Sequence, residues 1–262
     1  MYSIFEFHKK KIEQEKISMI TCYDFTSAKI IDKTNIDCVL VGDSVSMVMH
    51  GCRDTTGATM EMMALHTKAV ARGIKNKLII ADLPFASYRK SLNKTILAME
   101  ILIRAGAHAT KLEGADGNLN HIRHAVESGI PVMGHLGLTP QHVNTLGGFK
   151  MQGKDEHSQN KLLHDAKLLE EAGCFSLVLE CIPAELAKQI TNSLSIPTIG
   201  IGAGQDTDGQ VLVMHDLLGL QTNIQPKFLK QYFNAESIFT DSINCFVSEV
   251  KAKRYPAVEH CY

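Results

Sequence analysis

The sequence lacks an excess of charge of either sign, and it lacks any long apolar run. Lys and Arg number 27 against 28 Asp and Glu, so the composition predicts neither nucleic acid nor an anionic membrane as a partner. No apolar run approaches the roughly 20 residues that a helix needs to cross a bilayer. We therefore expect a globular protein, for which 262 residues with 45% hydrophobic composition provide a large core.

The sequence also lacks the cysteine spacing of a disulfide framework. Its seven cysteines form an odd set without a Cys-x-x-Cys pair, and several lie in apolar runs. We expect buried free thiols in a reducing cytoplasm. The N-terminal stretch MYSIFEFHKKKIEQEK has no continuous apolar segment, so we expect no signal peptide there.

What the chain has is a repeated unit, a short apolar strand that stops at a polar or glycine-rich corner. Residues 39–44 (VLVGDS) are the clearest copy. The eight predicted strands lie at 17–24, 38–44, 78–84, 109–114, 131–137, 175–181, 197–204 and 209–216. Predicted helices lie at 2–15, 26–33, 60–73, 91–105, 119–128, 158–172, 184–193 and 226 to 253. Residues 47–57 and 138–157 are predicted loops, and the second is long enough to suggest a functional role.

This alternation of strands and helices predicts the fold class. Parallel neighbours need a crossover connection, so the sheet should be parallel. Eight units in about 250 residues fit a closed (β/α)8 barrel better than an open doubly wound sheet. No linker or composition shift divides the chain, so we expect one α/β domain over residues 1–262, with a short N-terminal helix outside the repeat.

Acidic residues occupy the carboxyl ends of the predicted strands, and active sites lie at that end of such a barrel. They are Asp24, Asp43, Asp82, Glu113, Glu180 and Asp216. Any one of them could equally be a helix N-cap or a solvated loop residue. However, carboxylates on neighbouring strands about 5 Å apart repel each other unless a cation lies among them. Asp43, Asp82 and Glu113 therefore predict a Mg²⁺ site built from oxygen ligands.

Two further residues suggest how such a site would act. Lys111 shares a strand face with Glu113, and a lysine inside an apolar strand is costly unless it is paired. Its natural partner is a substrate carboxylate held beside the metal. Glu180 ends the sixth strand across the barrel mouth, where it is positioned to remove a proton from that substrate.

The chain resembles the ketopantoate hydroxymethyltransferase family, also called the 3-methyl-2-oxobutanoate hydroxymethyltransferase family. The resemblance covers nearly the whole chain and rests on motifs in the family's order. These include ITCYDFTSAKI at 20–30, VLVGDS at 39–44, ADLPFASY at 81–88, KLEG at 111–114, GIPVMGHLGLTPQ at 129–141, LVLECIPAELAKQIT at 177–191 and IPTIGIGAGQDTDGQVLVMHDLLGL at 196–220. The chain departs from the family at 53–59, where RDTTGAT has glycine in place of a usual proline, which predicts a looser loop.

The resemblance implies a (β/α)8 TIM barrel of the phosphoenolpyruvate/pyruvate type and a Mg²⁺-dependent hydroxymethyl transferase. Such an enzyme moves a hydroxymethyl group from 5,10-methylenetetrahydrofolate to 3-methyl-2-oxobutanoate through a Mg-stabilised enolate. The product is 2-dehydropantoate (ketopantoate), in pantothenate and coenzyme A biosynthesis. The resemblance also implies a cytoplasmic homo-oligomer, commonly a decamer.

The resemblance assigns roles to individual residues as well. It implies Mg²⁺ ligation by Asp43, Asp82 and Glu113, with Glu113 acting directly or through water. It implies substrate contacts from Asp43, Ser44, Asp82 and Lys111, and Glu180 as the general base. A further hypothesis is that the long loop 138–157 closes over the folate.

Two alternatives remain open at this stage. One is a lyase or mutase of the phosphoenolpyruvate and pyruvate type, which would share the acids but use another electrophile. Such enzymes commonly have a cysteine in a mobile loop, and residues 138–157 contain none. The other is a non-catalytic barrel that serves as a scaffold, which would have no reason to keep a lysine and four strand-end acids together.

Overall fold

The computed structural model describes residues 3–221 and 226–262, and within those ranges eight parallel strands close into a barrel. Each strand pairs with the next along the chain, and β8 closes the ring by pairing with β1. The strands are β1 (Ile17–Thr21), β2 (Cys38–Val41), β3 (Leu78–Asp82), β4 (Ala109–Lys111), β5 (Val132–Gly137), β6 (Ser176–Glu180), β7 (Thr198–Ile201) and β8 (Gly209–Leu212). The predicted parallel barrel is confirmed. All eight predicted strands are present, and each is shorter than predicted.

Helices connect most of the strands, as the repeat predicted. They are α1 (Ile4–Ile12), α2 (Phe25–Ile31), α3 (Val45–Val48), α4 (Met60–Gly73), α5 (Leu92–Arg104), α6 (Leu119–Glu127), α7 (Val143–Leu146), α8 (Glu156–Glu171), α9 (Ala184–Ser193), α10 (Met214–Leu217) and α11 (Ala235–Lys251). Residue 2 of the predicted first helix lies outside the described residues. Three short helices were not predicted: α3 overlaps the start of the predicted loop 47–57, α7 lies in the predicted loop 138–157, and α10 begins inside the predicted strand 209–216.

The C-terminal helix is shorter than predicted. It was expected from residue 226, but α11 begins at Ala235, after Asn234 accepts a hydrogen bond from the Ser237 amide at 3.3 Å. An asparagine that caps a helix in this way marks its first turn. The preceding residues from 226 are therefore not helical, although their composition resembled a helix.

The loop at the family departure is held by a cap. Residues Thr55–Gly57 form a 3-10 turn whose N-cap Asp54 accepts a hydrogen bond from the Thr56 amide at 2.9 Å. Added side-chain bulk at Gly57 would meet the Cys52 sulfur, since a Cβ there would lie 2.9 Å from it. Glycine thus lets Cys52 pack closely against this turn.

The barrel interior is filled by side chains that alternate along the strands. Residues two apart point to the same side of a strand, so every other residue faces inward. The interior cluster comprises Ile17, Met19, Cys38, Leu40, Leu78, Ile80, Ala109, Met133, Val178, Ile199 and Val211, together with Phe7 of α1. Burying one large aliphatic side chain contributes about 1.5–3 kcal/mol, so this cluster is a major source of stability.

Helix α1 covers the amino-terminal end of the barrel. Phe7 is buried and contacts Phe175 edge to face, with ring centroids 5.6 Å apart. Lys11 donates to the Asp208 carboxylate at 2.8 Å and to the Thr191 carbonyl at 3.0 Å. Because Phe175 and Asp208 precede β6 and β8, these contacts fix α1 below the strands and leave their carboxyl ends open for a site.

Asp37 joins α1 to the first two strands, and we expect its charge to stabilise the fold. It accepts hydrogen bonds from the Ser18 amide and hydroxyl, both at 2.7 Å, and pairs with Lys10 at 3.1 Å. Burial opposes ionisation, but these contacts lower the pKa of Asp37 below its usual range. A depressed carboxyl pKa stabilises the fold above the unfolded value of about 3.9 and loses that effect as pH falls through the folded pKa.

Asp37→Asn should therefore unfold more easily at pH 7, by about 1–3 kcal/mol. The difference from the native chain should shrink as the pH is lowered below 4. Urea unfolding at several pH values measures both effects. Glu13→Gln, at an exposed position 4.0 Å from Lys9, is the matched control and should change stability by less than about 0.5 kcal/mol. A pH-independent difference for Asp37→Asn would contradict the assignment.

The contacts of the chain divide it into two compact units, one ending at Leu212 and one running from Val213 to Tyr262. The first contains the whole barrel. The second contains α10, α11 and a 3-10 turn at Val258–His260, and the Ala235 amide donates to the Leu218 carbonyl at 2.9 Å. The single domain over residues 1–262 stays a prediction.

Two further expectations concern the whole chain. All seven cysteines are free, and Cys22, Cys38 and Cys174 are buried as expected, whereas Cys245 and Cys261 are exposed. Among the helices that the structure describes, none combines the length and the apolar character that a bilayer crossing requires.

Candidate active site

The carboxyl ends of β2, β3 and β4 bring the predicted acids and the lysine into one buried cluster. Asp82 and Lys111 are register partners at the ends of β3 and β4. Asp43 and Glu113 follow two residues beyond β2 and β4. Each of these four residues is at most 5% exposed, so their charges must be balanced within the protein.

Lys111 and Asp82 form the central ion pair of this cluster. The lysine Nζ lies 2.5 Å from Asp82 Oδ1. The other oxygen of Asp82 accepts a hydrogen bond from the Asp43 amide at 3.1 Å. Burial alone would lower the pKa of Lys111, but Asp82, Asp43 and Glu113 raise it above its usual range, so the lysine is a cation.

The cluster carries more negative charge than its lysine neutralises. Burial raises the pKa of Asp43 well above its usual range, and the charges of Asp82 and Glu113 raise it further. A carboxylate in this situation favours either a proton or a bound cation. The donor chemistry, hard oxygens in a pair, suits Mg²⁺.

In residues 3–221 and 226–262, no group of three or more His, Cys, Asp or Glu side chains converges closely enough to enclose a metal ion. This arrangement is compatible with Mg²⁺, which is commonly held by one or two carboxylates while water and substrate oxygens fill the remaining positions. The neighbouring carboxylates of Asp43 and Asp82 fit that pattern. The third predicted ligand, Glu113, has protein partners at both oxygens.

His135 of β5 connects Glu113 with Glu180. Its Nδ1 lies 3.4 Å from Glu113 Oε1, and its Nε2 lies 3.2 Å from Glu180 Oε2. These are ion-pair distances rather than well-aligned hydrogen bonds. Burial opposes protonation, but the two carboxylates raise the pKa of His135 to about 9. The imidazole is therefore a cation at neutral pH and extends the charged network across the barrel mouth.

Glu113 is held ionised by its surroundings. Burial would favour its neutral form, but His135 and His142 lower the pKa of Glu113 to about 2. Its Oε2 also accepts a hydrogen bond from the Gln141 amide at 3.0 Å. Glu113 is thus a fixed negative charge between the lysine side of the site and the histidine side.

Gln141 is a site residue that the sequence analysis missed. Its Nε2 donates to Asp43 Oδ2 at 2.8 Å and to the Leu83 carbonyl at 2.9 Å. Its Oε1 accepts from the Tyr88 hydroxyl at 2.8 Å. With its backbone amide on Glu113, this buried side chain ties together the loops after β2, β3, β4 and β5. The available signal was its position, one residue beyond Pro140 and four beyond the end of β5.

We expect Gln141→Leu to disturb both stability and the acid cluster. Leucine fills similar space but leaves Asp43 and Tyr88 without their partner, which costs about 1–3 kcal/mol for each buried polar group left unsatisfied. Thermal unfolding and the Mg²⁺ concentration needed for half-maximal stabilisation measure the two effects. Gln189→Leu on α9, at an exposed position, is the control. A variant that matched native stability and Mg²⁺ response would rule out a positioning role for Gln141.

Ser44 lies at the start of α3, where its hydroxyl is 2.8 Å from the hydroxyl of Tyr23. Tyr23 is buried and was also missed by the sequence analysis. Burial raises the pKa of Tyr23 above its usual range, so its hydroxyl stays neutral. The Tyr23 and Ser44 hydroxyls provide a neutral hydrogen-bonding edge beside the charged cluster.

Two of the six strand-end acids have other positions. Asp24 is the N-cap of α2, where it accepts a hydrogen bond from the Ser27 amide at 2.9 Å. Asp216 lies in α10, within the second unit. Glu180, the last residue of β6, is the most exposed of the remaining four, at 17% for its side chain.

A closed parallel barrel with a buried carboxylate and lysine cluster at the carboxyl ends of its strands is the architecture of a (β/α)8 enzyme. The profile of the family described as Ketopantoate hydroxymethyltransferase matches residues 2–258. The chain belongs to this family of transferase enzymes, which confirms the predicted family.

Curated relatives cover essentially the whole chain. A 3-methyl-2-oxobutanoate hydroxymethyltransferase from Francisella tularensis subsp. tularensis is 58% identical over 262 residues, covering 100% of this chain and 99% of the relative. A protein of the same name from Coxiella burnetii is 57% identical over 259 residues, covering 98% of this chain and 97% of the relative.

Solved structures with low identity share the fold. The barrel resembles 2,3-dimethylmalate lyase, described as a PEP mutase/isocitrate lyase superfamily member, with a TM-score of 0.63, 15% identity and coverage of 98% of this chain and 90% of that one. It also resembles phosphonopyruvate hydrolase, with a TM-score of 0.66, 10% identity and coverage of 99% and 90%. These similarities confirm the predicted (β/α)8 barrel fold.

Proposed function

We propose that the chain transfers a hydroxymethyl group from 5,10-methylenetetrahydrofolate to 3-methyl-2-oxobutanoate and forms 2-dehydropantoate (ketopantoate), a step of pantothenate and coenzyme A biosynthesis. The observation that carries the proposal is the buried cluster of Asp43, Asp82, Lys111 and Glu113, found in a chain whose full-length relatives bear the name of this activity. The cluster combines carboxylates for a cation with a lysine for an anionic substrate.

We propose that Asp43 and Asp82 bind Mg²⁺ directly and that Glu113 binds it through a water molecule. Both carboxylate oxygens of Glu113 already contact protein groups, Oε1 the His135 ring and Oε2 the Gln141 amide, which supports this division of roles. When bound, Mg²⁺ supplies a Lewis acid that polarises the keto group of a 2-oxo acid. The remaining steps belong to side chains of the protein.

Lys111 and Ser44 are proposed to bind the substrate. The buried ammonium group of Lys111 offers charge-assisted hydrogen bonds to a carboxylate, in addition to the one it makes with Asp82. Ser44 can donate its hydroxyl hydrogen to a substrate oxygen while it accepts one from Tyr23. Together these contacts would orient the 2-oxo acid with its C3 carbon directed away from the lysine.

Glu180 is proposed to remove the C3 proton. Its partial exposure leaves room for a substrate atom to approach, and His135 at 3.2 Å holds one of its oxygens. The imidazolium of His135 fixes the carboxylate in position. The C3 carbon then bonds to the methylene carbon of the folate, and both carbon–nitrogen bonds of that carbon break. A water molecule supplies the hydroxyl oxygen, and tetrahydrofolate leaves after its two nitrogens take up the C3 proton and one proton of the water.

Proton NMR of 3-methyl-2-oxobutanoate in D₂O tests the proposal. With native protein and Mg²⁺ the C3 proton should exchange for deuterium, and added methylenetetrahydrofolate should give the hydroxymethyl signals of ketopantoate. Removal of Mg²⁺ with a chelator should stop both, and re-addition should restore them. Exchange without condensation would favour the lyase or mutase alternative, and the absence of both in folded, metal-loaded protein would favour a scaffold.

The resemblance to the family also suggests the assembly and the location of the protein. We propose a homo-oligomer, and specifically a decamer, from the resemblance to the family. Sedimentation velocity tests it, because a species near the 28.9 kDa of the chain would exclude any stable assembly. The free cysteines are consistent with the predicted cytoplasmic location.

A further inference from the structure

A cavity of about 290 Å³ lies beside the acid cluster, on the same end of the barrel. Its floor includes Leu136 and Gly137 from the end of β5, and one wall comes from the long segment after that strand, including His142 and Leu146. The opposite wall comes from α8. This volume is close to the lower limit for small-molecule sites, so it suits one ring system rather than a complete folate.

The cavity is adjacent to both sides of the proposed reaction site. His142 lies 3.8 Å from Glu113 Oε2. Gly137 is the register partner of Glu180, and a Cβ at Gly137, with φ of 94°, would lie 2.2 Å from the Glu180 carbonyl oxygen. Only glycine permits this approach. Residues that line the cavity are therefore direct neighbours of Glu113 and of the proposed base in the barrel.

The lining of the cavity suits a neutral, polar ring. Its walls are apolar at Leu136, Leu146 and Leu162, which can contact the two faces of a flat ring. On α8, Lys161 bridges Asp165 at 2.8 Å and Asp116 at 2.9 Å. Asp165 is buried, with its side chain 9% exposed.

This arrangement of charges favours a pterin over an anionic group. A pterin presents an amino group and a ring N–H side by side, which pair with a carboxylate such as that of Asp165. It also presents a carbonyl oxygen that can accept from an ammonium group such as that of Lys161. Arg89 also lines the cavity, and the two aspartates balance the charges of Arg89 and Lys161, so the lining offers little net attraction to the carboxylates of a glutamate tail.

We propose that this cavity binds the reduced pterin half of the folate co-substrate, with the methylene-bearing edge at the mouth beside Glu180 and the benzoylglutamate half outside. The inference rests on the proposed function. It also gives a role to the long segment 138–157, which forms a wall of the co-substrate site rather than only covering it.

A pocket-filling variant and a matched control test the inference. Leu162→Trp places an indole in the cavity, and His164→Trp places the same side chain on α8 at an exposed position outside the lining. We expect Leu162→Trp to raise the KM for methylenetetrahydrofolate by at least about tenfold. Its Mg²⁺-dependent C3 exchange in D₂O should stay within about twofold of the native rate. His164→Trp should leave both unchanged.

The control outcomes separate the inference from the proposed function. Native protein without C3 exchange or condensation would refute the proposed function itself. Native turnover with an unchanged folate KM in Leu162→Trp would overturn the pterin site alone, and so would a parallel loss of C3 exchange. If circular dichroism shows that Leu162→Trp does not fold, Leu146→Trp is measured with the same criteria, since Leu146 of α7 lines the same cavity.

Binding of the two folate halves tests the orientation. 6-Methyltetrahydropterin should compete with tetrahydrofolate for native protein in equilibrium dialysis, and it should compete less well for Leu162→Trp. Competition by p-aminobenzoylglutamate alone, weakened by the same substitution, would show that the cavity holds the other half and would overturn the pterin assignment.

Discussion

Replacing Glu180 with glutamine is expected to abolish C3 proton exchange and condensation together, each by about 10²–10⁴-fold. Glutamine has the same shape, and its amide oxygen can still contact His135, but it cannot accept a proton from carbon. Loss of both reactions in parallel would mean that the two share one proton-transfer step. Proton NMR in D₂O measures both in a single sample.

The controls for this variant separate chemistry from binding. Glu180→Gln should retain its affinity for 3-methyl-2-oxobutanoate with Mg²⁺ in calorimetry, because Lys111 and Ser44 are unchanged. Glu185→Gln, in the first turn of α9 and exposed, should keep native exchange and condensation. Native exchange in Glu180→Gln would mean that another group removes the proton, and His135 would then be the first residue to examine.

Replacing Lys111 with methionine is expected to produce the largest loss of stability. Methionine fills a similar volume, but it leaves Asp82 buried without its cation, which costs about 3–5 kcal/mol. For a chain of this size the melting temperature should fall by roughly 6–20 °C. Adding Asp82→Asn should recover much of that loss, since a buried ion pair replaced as a whole is often neutral.

The same variant gives a test of the metal site that does not depend on catalysis. Without Lys111 the carboxylates of Asp43 and Asp82 have more unbalanced charge, so a bound cation should stabilise the variant more than it stabilises the native chain. Melting temperatures at increasing Mg²⁺ concentration measure this through ligand linkage. Equal Mg²⁺ responses in the two proteins would count against metal binding at these acids.

Much of the fold could be predicted because local signals and long-range packing agree. Helix α4 was predicted with its observed limits, since the Thr59 cap and Gly73 mark its two ends. The predicted strand ends were displaced by up to four residues, because the prediction counted the polar or glycine-rich corner as part of each strand. Helices α3 and α7 were missed because four residues are too few to show a helical period.

The charged part of the site could be predicted better than its neutral part. The charged residues Asp43, Asp82, Lys111 and Glu113 could be selected from the sequence because an ionisable group next to an apolar strand is costly to bury unless it is paired. Gln141 and Tyr23 gave no such signal, since an amide in a long loop and a tyrosine near a strand are common. Their positions depend on how distant loops fold back over the barrel, which local sequence does not specify.

The contacts of α1 have a consequence for the order of events during synthesis. This helix leaves the ribosome before every strand of the barrel, yet the Thr191 and Asp208 partners of Lys11 follow 180 and 197 residues later. Phe7 must therefore remain exposed, or be buried in a transient contact, until nearly the whole barrel has emerged. Helix α1 is thus made before the barrel but reaches its final place only when the barrel is nearly complete.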